Sequence, residues 1–379
     1  MMFDYETLRL IWWALLGALL IGFAITGGFD LGVAILLPFL GKNDTERRVI
    51  INSIGATWEG NQVWFVTAGG ALFAAWPMAY SVAFSGFYFA LLLTLFALFM
   101  RPIGFDYRSK LPSQRLRSNW DRALFVGGFV PALIFGVAFG NLLQGVPFYF
   151  AEDMRIFYTG SFWALLNPFA LLAGLISVSM LIMHGSVYLQ LRTVDDINQR
   201  CKSMVSVFAI LTLVLFAIAG VWVANIDGYQ ITSEVLPNAP SNPLTKLVAK
   251  GLGLWLANYA NYPMLWAIPS LAFIAGTTTI VLSKVERPGL AFISSSLTLA
   301  AVILTAGVSM FPFLMPSSSV INSSLTVWDA SSSMTTLKIM FWVTVVFLPI
   351  VIFYTSWVFR VLRGKITLEH IHNNDHSAY

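Results

Sequence analysis

Nine apolar runs, each close to the ~20 residues that cross a hydrocarbon core, follow one another along this chain. They lie near 9–28, 50–75, 80–100, 123–143, 161–190, 204–225, 262–283, 288–312 and 337–362. A soluble domain covers such helices with a polar shell in which about a quarter of all residues are charged. Here 11% of 379 residues are charged and 58% are hydrophobic, so that shell does not exist. Mean hydropathy is +0.76, and lipid is the solvent that fits it. The expectation is an all-α membrane protein, a polytopic bundle of about nine transmembrane helices forming one integral domain over 1–379. The first apolar stretch continues to Leu40, so its helix runs long, tilts, or passes into an interfacial segment. The opening "MMFDYETLR" is acidic and no small-residue cleavage site follows, so no signal peptide is expected.

Charge gives the direction. With nine spans, the loops after spans one, three, five and seven share a side with the C-terminal tail (364–379). Those segments hold seventeen of the 22 Lys and Arg residues, six of them between Arg101 and Arg122. The positive-inside rule then predicts an outside (periplasmic) N-terminus and a cytoplasmic C-terminus. It also makes 227–260 an extended periplasmic loop. A count of eight or ten spans scatters the charges over both sides. The pI of about 9.1 is read as this topology rather than as a nucleic-acid surface.

One carboxylate stands inside the second run, in "WEGNQVWFVTAGGALFAAW" (58–76). Entering near Val49 and rising ~1.5 Å per residue, a helix brings Glu59 about 15 Å deep, mid-membrane. Asn52 and Gln62 share its face at helical spacing, giving a polar stripe from the cytoplasmic surface. Two readings follow: a proton relay facing the bundle, or a protonated Glu hydrogen-bonded to a neighbouring helix. Asp30, after the Gly-rich "GFAITGGFD" (22–30), falls near the cytoplasmic boundary, as a second relay group or an interfacial carboxylate. Trp58 and Trp64 line a cofactor or oxygen route, or pack the helix interface.

Haem needs axial ligands at membrane depth, and histidines are scarce. His184 sits at the cytoplasmic end of span five, where packing or hydrogen bonding fits it better than ligation. His370, His372 and His376 fall in the polar tail, so no metal site is expected. Cys201 is the lone cysteine, which excludes an internal disulfide. P-loop, dinucleotide and hydrolase-triad patterns are absent from the sequence. Two functions remain: a secondary transporter with a central carboxylate, or a membrane subunit of a redox enzyme that delivers protons.

Specific words decide between them. "RLIWWALLGALLIGFAITGGFDLGV" (9–33), "NDTERRVIINSI" (43–54) and "WEGNQVWFVTAGGALFAAWP" (58–77) open an ordered series. "FSGFYFALLLTLFALFMRPIGFDYRSK" (84–110), "FGNLLQGVPF" (139–148), "TAGVSMFPFLMPSS" (305–318) and "SSLTVWDASSS" (323–333) continue it. The whole chain closely resembles subunit II of the bacterial cytochrome bd quinol oxidases. The resemblance implies an enzyme of the cytoplasmic (inner) membrane that couples quinol oxidation to reduction of oxygen to water and generates proton motive force. It implies a heterodimer with subunit I, which carries two b-type haems and one haem d, joined by small single-span accessory subunits. Subunit II then stabilises the assembly, supplies a proton route through the acid of the W-[DE]-G-N-Q-V-W motif, here Glu59, and offers a pocket for a structural quinone. It departs from the family at Gly27-Gly28-Phe29-Asp30, where members read "DGFD". No proton role of that first acid carries over to Gly27.

Overall fold

The computed structural model describes residues 3–367, so the three tail histidines lie outside the described residues. Helix α1 (Tyr5–Leu40) is 36 residues long, about 54 Å. Its N-cap is Asp4, whose carboxylate accepts the Thr7 N–H at 2.9 Å. After it come α2 (Asp44–Gly55), α3 (Trp58–Ala75), α4 (Pro77–Gly86), α5 (Tyr88–Tyr107) and α6 (Gln114–Gln144). A short hairpin of β1 (Phe148–Phe150) and β2 (Ile156–Tyr158) leads into α7 (Pro168–Arg192) and α8 (Asp195–Val223). The antiparallel pair β3 (Asp227–Ile231) and β4 (Val248–Leu252) lies within the 227–260 loop and closes the segment between them into a long hairpin. The chain finishes with α9 (Ala257–Asn261), α10 (Ala267–Lys284), α11 (Pro288–Met310), the hairpin β5 (Phe313–Met315) and β6 (Leu325–Thr326), and α12 (Met334–Val361).

Among the described residues, eight helices are long and apolar enough to cross a membrane. The expected second span, 50–75, is the exception, because it is broken. Helix α2 ends at Gly55, Thr57 leaves the helical region at φ −122°, and α3 starts afresh at Trp58. Glu59, Asn61 and Gln62 fill its first turn and dilute its apolarity. Its 18 residues still reach from Asp30 to the start of α12, where Ser332 bonds Ala75, so the chain does return across the bundle.

The hairpins gather at one end and most arginines at the other. At this basic end, Asp121 receives Arg47 at 2.7 Å and Arg108 at 2.8 Å. Asp44 takes Arg108 and Arg117, both at 2.8 Å, and Glu46 takes Arg200 at 2.8 Å. Side chains from the turn after α5, from α6 and from α8 thereby clamp the start of α2. The segment after α12 docks here too, with Ile366 N–H donating to Arg192 O at 2.8 Å. At the hairpin end, Arg9 is fully buried and donates to Ser331 at 2.8 Å, Ser241 at 2.9 Å and Ala239 O at 3.1 Å. Lys246 meets Asp329 at 2.9 Å nearby. Burial lowers the Lys246 pKa, and the Asp329 charge opposes that shift.

Helix α7 is the axle of the bundle, buried from Ile176 to Gln190. Small residues let its neighbours close on it, since hydrocarbon solvent offers little drive to press helices together and contact depends on shape. A Cβ on Gly185 would sit 2.8 Å from the Gly32 backbone of α1, and one on Gly140 would sit 2.6 Å from Ala170 Cα. Single polar pairs pin α7 elsewhere: Thr212 to Ser179 at 3.0 Å, and Ser283 to Gln190 at 2.8 Å. Gly185→Leu is therefore expected to force α1 and α7 apart, at a cost of about 1–3 kcal/mol. Thermal unfolding of the purified assembly measures it. An unchanged midpoint would refute backbone contact at this crossing.

Candidate functional site

The helix break and a buried carboxylate coincide. Asp30 on α1 is fully buried, and its Oδ2 accepts a hydrogen bond from Asn61 Nδ2 at 2.9 Å. Asn61 stands in the first turn of α3, where its N–H bonds Thr57 O at 3.0 Å. Helix α2 ends at the same level, because Tyr188 stacks on Phe29 at 3.9 Å and donates to Ser53 O at 2.8 Å. From Asp30, α1 runs ten more residues, about 15 Å, to Leu40 at the basic end. Asp30 is thus mid-bundle and not at the boundary where the sequence put it. The helix does not stop near residue 30 but continues as one piece to Leu40, and these nearly three further turns set the depth.

Arg101 of α5 completes the cluster. It is 1% exposed, and its guanidinium lies 5.5 Å from the Trp58 ring centroid and within coulombic reach of Asp30. None of its three side-chain nitrogens has a hydrogen-bond partner, nor has Asp30 Oδ1. Gly127 of α6 makes room for its stem: a Cβ there would come within 2.9 Å of Arg101 Cγ. The two charges compensate one another in a low-dielectric site while keeping free donors and an acceptor. Sequence reasoning counted Arg101 only as a loop charge. The signal was its place inside "LFALFMRPIGF", where an arginine interrupts an otherwise apolar helix.

The predicted stripe separates. Asn52 is half-buried on α2 and donates to Arg48 O at 2.8 Å, so the break removes it from the helix of Glu59. Gln62 is half-buried with its Nε2 unpartnered. Glu59 is exposed and points out of this bundle rather than into it. It heads a face of α3 continued by Val63, Val66, Gly70 and Phe73, all exposed, and a Cβ on Gly69 or Gly70 would touch nothing within 4 Å. A carboxylate at the depth of Asp30 on an apolar outer face needs cover from another chain.

Trp58 packs on Phe105 at 5.3 Å. Trp64 fills the groove at Gly22, where a Cβ would lie 2.6 Å from its ring. Gly27 is similarly crowded, since the Phe23 ring occupies the space an acid's Cβ would need. His184 is deeper than the sequence reading placed it, eight residues or about 12 Å from the end of α7, and fully buried. Nδ1 lies 2.7 Å from Ser295 Oγ, and Nε2 lies 2.9 Å from Ile25 O. A carbonyl only accepts, so Nε2 carries the proton. With both nitrogens engaged and Phe292 stacked at 4.6 Å, His184 does not fit as a haem ligand.

A lateral cavity of about 680 Å³ opens among α1, α6, α7, α8, α10 and α11, with an almost wholly apolar wall.

The sequence profile of cytochrome bd terminal oxidase subunit II matches residues 8–362. The chain belongs to that family. It is 57% identical over 379 residues, all of both chains, to the cytochrome bd-I ubiquinol oxidase subunit 2 of Escherichia coli (strain K12). It is 53% identical, again over all of both chains, to the probable cytochrome oxidase subunit 2 of Haemophilus influenzae. The structure of bd oxidase from Geobacillus thermodenitrificans shares the fold, with a TM-score of 0.68 at 15% identity over 94% of this chain and 98% of that one. As subunit II, the protein is a multi-pass inner-membrane component of a quinol:oxygen oxidoreductase complex, with a subunit I as partner. Haems belong to that complex. The transporter alternative is set aside.

Proposed function

We propose that subunit II carries protons from the cytoplasm to the face it shares with subunit I, through Glu59. One observation carries this reading: Glu59 is a carboxylate at the depth of Asp30 on an exposed, apolar, glycine-open face of α3. The α3 face, the unpartnered apolar surface of α12, where only Leu337 is buried, and the aromatic outer face of α5 together form the surface that subunit I covers. The basic end is cytoplasmic by the positive-inside rule. Asn52 and Gln62 stand before and beside the break and provide hydrogen-bonding stations. Asp30, charge-balanced by Arg101 and tied to Asn61, holds the first turn of α3 and offers a second site for the proton. Glu59 must take a proton from one side and release it to the other, and its exposure to the partner interface suits this exchange.

The substrate is a quinol, ubiquinol by analogy with the Escherichia coli relative. The lateral cavity suits the isoprenoid tail of a structural quinone, being apolar and of ligand size. Small single-span accessory subunits complete the assembly.

Two measurements test the reading. Reporter fusions after Lys365 and at Ser113 are expected to be cytoplasmic, and one within 232–245 periplasmic; an exterior signal at Ser113 overturns the orientation. Asp30→Asn keeps the Asn61 contact but removes the titratable group. It is expected to slow oxygen-driven proton uptake by the purified complex several-fold with haem content retained. Wild-type uptake would remove Asp30 from the route.

A further inference from the structure

We infer that the turn joining α10 to α11 at the basic end is a seat for one anionic phospholipid, held through its phosphodiester. The inference rests on the orientation proposed above only for which leaflet supplies the lipid. The turn is closed by its own backbone: Glu286 N–H donates to Ser283 O at 3.3 Å, and Arg287 N–H donates to Leu282 O at 2.9 Å. This paired reversal usually places glycine in the left-handed position after a helix. Here Glu286 takes that position at φ 60°, which a residue with a Cβ adopts only under strain. From there its carboxylate accepts from Lys202 Nζ of α8 at 2.6 Å. Beneath it, Ser283 Oγ donates to Gln190 Oε1 of α7 at 2.8 Å, and Gln190 Nε2 donates back to Ser283 O at 2.9 Å. The turn is thus fixed to the axle of the bundle. It lies apart from the lateral cavity, because between the two a Cβ on Gly276 would lie 2.7 Å from Leu213, and Phe216 meets Phe273 at 5.5 Å.

Unanswered charge and bare aliphatic surface meet at this turn. Glu286 is its one acid, and Lys202 already answers it, with Lys365 adding its charge from the segment after α12. The Lys202 hydrogen bond and these charges hold the Glu286 carboxyl below its usual range. Lys284 and Arg287 flank the pair, both exposed, and no acid among the described residues bonds either of them. Four cations therefore meet one carboxylate. Beside them Val281 and Val285 on the α10 side, and Leu290 and Ile293 on α11, are each more than half exposed. A free anion would answer the charge and leave the aliphatic surface bare. A zwitterionic lipid would cover that surface, but the cations would repel its ammonium. A phosphodiester with no cationic headgroup and two acyl chains satisfies both demands. The cytoplasmic leaflet carries such lipids, and basic segments at the membrane face attract them.

The test uses the complete complex in phosphatidylcholine vesicles doped with a phosphatidylglycerol that carries a photoactivatable diazirine on one acyl chain. Matched vesicles carry the same chain on phosphatidylcholine, and labelled peptides are mapped by mass spectrometry after irradiation. Phosphatidylglycerol is expected to label the peptides holding Val281, Val285, Leu290 and Ile293 several-fold more than phosphatidylcholine does. Both lipids should label the exposed Val214 of α8 equally. Lys284→Gln combined with Arg287→Gln removes two exposed charges and opens no cavity. It is expected to bring labelling by phosphatidylglycerol down to the phosphatidylcholine level, with Val214 label and haem content unchanged. Arg287→Lys keeps the charge and should keep most of the excess. Should the double variant not assemble, Lys284→Gln alone is expected to halve the excess or better. Equal labelling by the two lipids in the wild type, or an undiminished excess in the Gln variants, overturns the seat. Loss of the excess on adding glycerol 3-phosphate would show a site for a free phosphate and overturn the lipid assignment.

Discussion

Oxygen consumption by the complex is expected to fall on the order of 100-fold in Glu59→Gln, at unchanged haem content. The amide keeps the shape and hydrogen-bonding reach of the carboxyl group but holds no exchangeable acid proton, and loss of a positioned proton-transfer group costs roughly 10²–10⁴. Glu59 is exposed on its own chain, so the substitution opens no cavity and leaves no buried group unpaired. Assembly is therefore expected to survive, which separates this variant from a merely destabilised one. Glu59→Asp retains the acid with a shorter reach and recovers part of the rate. Turnover and charge movement at wild-type levels in Glu59→Gln would show that the carboxylate only hydrogen-bonds at the subunit interface.

The second large effect concerns the division of labour between subunits. Expressed without subunit I, this chain is expected to be degraded or to purify without stoichiometric haem, and coexpression should yield a coloured complex that oxidises quinol. The outer faces of α3, α5 and α12 are apolar and unpaired, and Glu59 on one of them is uncovered in a lone chain. The one histidine among the described residues has both nitrogens engaged and ties α7 to α1 and α11. His184→Ala should thus lower the unfolding midpoint of the complex while leaving its haem content near normal. Pyridine haemochrome assay of the isolated chain decides the matter: one haem per chain, lost in His184→Ala, would overturn the assignment.

Glu59 was legible as an intramembrane acid because a carboxylate in an apolar run is costly wherever the run folds, whereas Asp30 was legible only as an acid at the edge of such a run. Their surroundings were not legible. Helical spacing put Asn52, Glu59 and Gln62 on one face, but spacing assumes one unbroken helix, and Ala56-Thr57 interrupts it. Arg101 was misread because its own helix gives no hint that Gly127 of α6 opens a slot for it beside Trp58.

The sequence by itself determined the solvent, the fold class, the family and eight of the nine expected spans. Apolar run length and charge asymmetry are summed along the chain and depend little on which helices touch. Tertiary structure alone decided that Asp30 is mid-bundle, that Asn61 rather than Glu59 faces it, and that Glu59 lies on the exposed face of α3. Those outcomes turn on helix rotation and on a break of two residues, and a rotation of half a turn exchanges inside for outside without changing composition. The lateral cavity is likewise a property of six helices together, because its lining residues come from all of them.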